Sequence, residues 1–137
     1  MTLAQERREA RERALGLLYE AETKGCTGVE LLDDLPVPAD DFAAGLVTAV
    51  DEHKVRIDGL ITEHAKGWTL ARMPALDRAA LRMGTAELIT RADVPTPVVL
   101  NETVELATRF STDDSGRFVN GLLAKIATEV RPEGAGG

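Results

Sequence analysis

Apolar residues recur at three-and-four spacing along almost the whole chain, and nowhere do they alternate at every second position between hairpin turns. The first pattern lays an apolar stripe along a helix, and the second is what a half-buried strand requires. A chain with only the first must pack helix on helix. Ala10, Ala14, Leu17, Leu18 and Ala21 form such a stripe over Gln5–Lys24, and Gly25 ends it. Thr27 reads as the cap of a short helix carrying Val29, Leu31, Leu32 and Leu35, which Pro36 and Pro38 break. One long helix is expected from about Asp40 to Lys66, with room for a kink near Asp51 and His53. Gly67–Pro74 is a turn or a single helical turn anchored by Trp68 and Leu70. Pro74 then opens a helix that carries Leu76, Ala80, Leu81, Met83, Gly84 and Leu88 to about Arg91. Asp93–Pro97 is a rigid connector, with Thr96 as cap and Pro97 at the first position of a helix burying Val99, Leu100, Val104, Leu106, Ala107 and Phe110. Ser111–Gly116 is a run of turn and cap residues, and the last helix carries Phe118, Val119, Leu122, Leu123 and Ile126. The fold expected is all-α, with six or seven helices making one helical bundle or two small bundles packed together. It forms one domain over residues 1–131, with a disordered Gly- and Pro-rich tail at 132–137.

With 137 residues the chain can bury a core without disulfides or metals. Its single cysteine, Cys26, leaves no internal disulfide and no zinc cluster, a usage that fits a reducing cytoplasm. The first residues hold four arginines with no apolar run and cleavage site behind them, so no signal peptide is expected. No stretch approaches the ~18 uninterrupted apolar residues of a membrane span. The net charge of −7 would discourage nucleic acid if it were spread evenly. It is not. Residues 25–66 hold three basic and nine acidic side chains, whereas residues 1–24 hold five of each. Phosphates respond to local arginine clusters, so the total neither makes nor excludes an RNA-binding role.

Three groups of residues could carry chemistry. Arg7, Arg8 and Arg11 span an arc of about 100° on the first helix, with Arg13 pointing elsewhere. They read as a phosphate-binding cluster or as a solvated edge paired with Glu6, Glu9 and Glu12, and charge pattern alone favours the edge. Arg117 and Phe118 follow a Gly-containing cap, where a guanidinium plane or an aromatic face can stack a nucleobase. Spacing alone places Phe118 in the apolar stripe with Leu122 and Ile126. Arg78 and Arg82, one turn apart beside Asp77, are a second basic step or a salt-bridged surface. Glu87 lies on an apolar face, which suggests a partly buried carboxylate tied to an arginine or an interface residue. His53 and His64 have no metal-ligand spacing and read as surface residues; neither serine has a nucleophile setting, and no phosphate loop occurs. No metal, no cofactor and no enzymatic reaction are expected.

The order of several blocks resembles the NusB family of transcription antitermination factors. They are Arg7-Arg8-x-x-Arg11-x-x-Ala14-Leu15-x-x-Leu18-Tyr19, Ala80-Leu81-Arg82 with Glu87-Leu88, and Asp93-Val94-Pro95. Most specific is Asn101-Glu102-x-Val104-Glu105-Leu106-Ala107, followed by Phe110, Ser111, Asp114-Ser115 and Phe118-Val119-Asn120-Gly121. The resemblance implies two small helical bundles and a complex with the small-subunit ribosomal protein NusE. It also implies binding of that pair to single-stranded boxA RNA in nascent ribosomal RNA transcripts, acting with other Nus factors on RNA polymerase. Arg7, Arg8, Arg11 and Arg78, with Asp114, Arg117 and Phe118, then become expected RNA-binding residues, and Tyr19, Asp77 and Arg82 expected partner-binding residues. Glu6 and Glu9 dilute the arginine run, which implies weak RNA binding without the partner. Some family members self-associate, so a homodimer is a further expectation. The runner-up is the helical RNA-binding module that precedes rRNA cytosine methyltransferase domains, although no such domain follows before Gly137. A helical scaffold for protein alone would leave the arginines idle.

Overall fold

The computed structural model describes residues 1–132, which form seven α-helices and one turn of 3-10 helix, with no strand among them. The expected disorder at 132–137 lies, beyond Pro132, outside the described residues.

α1 (Leu3–Lys24) begins in a capping box between Thr2 and Gln5 and ends at Gly25, whose φ of 70° only glycine adopts cheaply. α2 (Gly28–Asp33) has a second capping box, between Thr27 and Glu30. The expected long helix is two helices, α3 (Asp41–Glu52) and α4 (Lys54–His64), broken at His53. A continuous helix of that length would be about 40 Å of straight rod. The break lets Ala43, Leu46, Val47 and Val50 pack beside α1 while Ile57, Leu60 and Ile61 turn towards the last helix. Asp51 contributes to the break's surroundings by accepting the N–H groups of Gly28 (3.3 Å) and Val29 (2.8 Å), which caps α2 from another element.

The connector after α4 holds the 3-10 turn Leu70–Arg72, and α5 (Ala75–Thr90) follows. Pro74 lies one residue ahead of its expected place, as the extended N-cap. α5 is the axle of the molecule: it packs on α1, α3, α4, α6 and on the last helix, and it is buried on most of its circumference. Such a helix needs small and apolar residues all round, which Ala79, Ala80, Leu81, Met83, Gly84, Ala86 and Leu88 supply.

α6 (Thr96–Phe110) is capped by Pro95, so Thr96 and Pro97 are its first two residues, one step earlier than expected. α7 (Asp113–Val130) starts inside the run read as a turn, with Thr112 Oγ1 accepting Ser115 N–H at 3.0 Å. Gly116 is therefore helical, and its role is close approach: a Cβ there would stand 2.0 Å from Thr108 Oγ1 of α6. Phe110, expected in the core, is 47% exposed at the end of α6.

Candidate nucleic-acid interface

The first turns of α1 carry the three arginines of the expected cluster, and the fold sends them to three different fates. Arg11 faces α5 and is 2% exposed. Its Nε and Nη2 donate to Glu87 Oε1 and Oε2 at 2.8 and 2.6 Å, and Glu87 is wholly buried. The buried-carboxylate reading of Glu87 is thus realised, with Arg11 as its arginine. Burial keeps the remaining N–H groups of this guanidinium out of a phosphate's reach, so in this structure Arg11 is a strut between α1 and α5 and not part of an open cluster. Arg8 lies over α6, donating from Nε and Nη2 to Glu102 (3.1–3.4 Å), and its side chain remains 47% exposed. The Glu102 hydrogen bond and charge raise the Arg8 pKa above its ordinary value. Arg7 reaches Asp93 in the α5–α6 connector at 3.4 Å and stacks over the Phe42 ring of α3, 5.0 Å from its centroid.

Arg78 and Arg82 are also struts. Arg78 Nε and Nη2 grip Glu22, and Nη1 donates to the carbonyls of Leu70 (2.7 Å) and Met73 (2.8 Å), which pins the 3-10 turn. Arg82 grips Asp58 at 2.8 and 3.0 Å and reaches Glu22 at 3.1 Å. Arg78 above all, with Arg82 behind it, holds the Glu22 carboxyl below the usual range. Asp77 is buried; Ser115 Oγ donates to its Oδ2 at 3.1 Å, which ties α5 to the start of α7. Asp77 is enclosed, whereas Arg78 and Arg82 keep a small part of their side chains at the surface.

Tyr19 does reach the surface. With Glu12, Leu15, Gly16, Leu76 and the exposed Phe110 it lines a shallow, mainly apolar groove between α1, α5 and the end of α6. A Glu12–Arg109 pair at 2.6 Å borders it, and the Arg109 guanidinium lies 4.5 Å from the Phe110 centroid. Phe110 is the residue that spacing misplaced, because its periodicity is that of the core stripe.

Asp114 and Arg117 are well exposed and paired with each other on the first turn of α7. Phe118 is half-buried, in an edge-to-face contact with Trp68 at 4.7 Å, and Trp68 is partly exposed. The connector's expected anchor therefore stands beside the expected stacking residue. Of the two histidines, His64 meets Glu129 at 3.1 Å; with Glu63 they place three potential donor atoms within 4.8 Å of one another on the α4–α7 surface. Among the described residues no helix is long and apolar enough to cross a membrane.

The NusB family model matches residues 8–128. The chain belongs to the NusB family. It is similar to proteins named "Transcription antitermination protein NusB" from Saccharopolyspora erythraea (52% identity, covering 88% of this chain and 86% of the relative) and Kineococcus radiotolerans (47%, covering 88% and 92%). Its fold matches that of T. maritima NusB with a TM-score of 0.83 at 32% identity, over 94% of this chain and 95% of the other. It also matches a chain from the crystal structure of antitermination factors NusB and NusE in complex with dsRNA, with a TM-score of 0.76 at 28% identity, over 92% and 97%. The family is one of non-enzymatic, RNA-binding transcription factors, and both specific blocks of the sequence, the Asn-Glu helix and Phe-Val-Asn-Gly, fall inside the matched residues.

Proposed function

We propose that this protein is a cytoplasmic antitermination factor that binds boxA-type single-stranded RNA of nascent rRNA transcripts jointly with NusE, and acts through other Nus factors on RNA polymerase. The observation that carries this reading is its likeness, over nearly the whole chain, to NusB in a complex that contains NusE and RNA. The geometry supports a division of labour. Arg7 and Arg8 supply the exposed cationic edge for phosphates, and Arg117, Asp114 and Phe118 supply a second contact at the start of α7. The Tyr19–Phe110 groove is the partner surface: apolar at its floor, ion-paired at its rim, and built from α1, α5 and α6. In this division Arg11, Arg78, Arg82 and Asp77 act through the residues they position.

Only two guanidiniums of the original cluster remain partly open, and each already faces a carboxylate. RNA affinity of the protein alone is therefore low, and NusE raises it by adding surface. Titration of labelled boxA and scrambled RNA, with and without NusE, tests this. A large gain with NusE, confined to boxA, supports the reading; equal binding in all four titrations refutes it. A second copy of the chain covering the Tyr19–Phe110 groove would be seen in the same samples as a concentration-dependent dimer that NusE dissolves.

A further inference from the structure

Arg91 played no part in the expected site, yet it joins Arg7 at a spot where two guanidiniums share one carboxylate. It is the C-cap of α5, and its side chain turns back across the start of α3. Its guanidinium lies 4.7 Å from the Phe42 centroid, so Phe42 gathers the Arg91 and Arg7 guanidiniums, with that of the buried Arg11 5.2 Å from the same centroid. Between them sits one carboxylate. Arg91 Nε and Nη2 donate to Asp93 Oδ1 and Oδ2 at 3.0 and 2.9 Å, and Arg7 Nη2 donates to Oδ2 at 3.4 Å.

The ion pairs are not one to one there. Arg11 is matched by Glu87, and Arg8 by Glu102. Arg7 and Arg91 share only Asp93, so the ion-paired group holds two guanidiniums to one carboxylate. Glu52 lines the same groove as Phe42 and Arg91, but it forms no ion pair among the described residues. Asp93 is the most open member of the group, with its side chain 54% exposed. A carboxylate gripped by one fork and touched by a second guanidinium offers the oxygen pair that a phosphodiester offers, and arginine forks bind both bidentately.

We propose that Arg91 joins Arg7 in a two-guanidinium clamp for one RNA backbone phosphate, and that the Asp93 carboxylate occupies the phosphate position in the free protein. The inference rests on the RNA-binding reading above and adds to it a residue and an internal competitor. Phe42 is the platform that keeps the two like charges together when Asp93 swings out. Asp93 can leave because its solvent-facing side is open, whereas Glu87 cannot because it is enclosed.

The test uses the full chain with NusE and labelled single-stranded boxA RNA over a range of salt. Arg91→Ala should weaken binding and lower the log–log salt slope by about 0.7, the value of one single-strand phosphate contact. Asp93→Asn should tighten binding, and Arg91→Ala with Asp93→Asn should bind no better than Arg91→Ala alone. Arg91→Lys, which keeps the charge but not the fork, should preserve the slope and bind more weakly than the native protein. It carries the test if Arg91→Ala fails to fold. The clamp is overturned if Arg91→Ala binds normally with an unchanged slope while Arg8→Ala weakens binding. It is equally overturned if Asp93→Asn fails to tighten binding. If neither Arg8→Ala nor Arg91→Ala changes binding, the RNA reading itself falls and the clamp falls with it.

Discussion

Replacing Glu87 by glutamine keeps the shape of the Arg11 pair but leaves a guanidinium, 2% exposed, without its counter-charge. Removing one partner of a buried ion pair costs about 3–5 kcal/mol, because the remaining charge can neither be paired nor hydrated. At roughly 2.1 cal/mol/K of unfolding entropy per residue, a chain of this size should lose about 10–17 °C of melting temperature. A double replacement, Arg11→Met with Glu87→Leu, removes both charges while filling similar volume, and should recover most of that loss. Circular-dichroism melts of the native protein, Glu87→Gln and the double variant measure this directly. The double variant also separates structure from binding: if Arg11 is only a strut, its folded form should bind boxA RNA with the native salt slope. A melting temperature for Glu87→Gln within about 2 °C of native would refute the assignment of Arg11 as a buried strut. So would a double variant as unstable as the single one, and a fall of about 0.7 in its salt slope would return Arg11 to the phosphate-contacting set.

Arg8→Ala should weaken all RNAs alike and lower the salt slope by about 0.7, measured by filter binding; an unchanged slope would make Arg8 merely a partner of Glu102. Phe118→Ala should cost about 1–3 kcal/mol of RNA affinity if the ring stacks a base, and about 3–5 kcal/mol of stability if its role is packing. Its contact with Trp68 predicts some of each, and early melting with normal RNA binding would remove Phe118 from the site. Gly116→Ala should destabilise by about 1–3 kcal/mol in chemical denaturation, since the new methyl meets Thr108 Oγ1; an unshifted midpoint would show that the Thr108 hydroxyl turns aside without cost. Glu22 has a folded-state pKa below its unfolded value, so its contribution is present above the unfolded pKa and fades as pH falls through the folded one. Glu22→Gln should therefore flatten the acid limb of the stability–pH curve below about pH 4.5, and identical limbs for both proteins would refute the Arg78–Glu22 attribution.

Local order was legible in the sequence because it depends on neighbours in the chain. Three-and-four spacing fixed the helices, Thr27 and Gly25 marked a cap and a stop, and the Phe-Val-Asn-Gly block pointed to the family before any side chain was placed. Side-chain fate was not legible, because it depends on residues far along the chain. A helical wheel puts Arg7, Arg8 and Arg11 on one arc, but Arg11 goes inside because Glu87, 76 positions away, meets it there, while Arg8 stays at the surface against Glu102, 94 positions away. Asp77 reads as a surface charge until Ser115 covers it, and Phe110 reads as core until α6 ends with the ring beside Tyr19. The break at His53 falls where the sequence left room for a kink, and the packing of α3 beside α1 and of α4 beside α5 and α7 turns that kink into two helices. Spacing decides which residues share a face; tertiary packing decides what that face meets, and with it whether a charge is a strut or a contact.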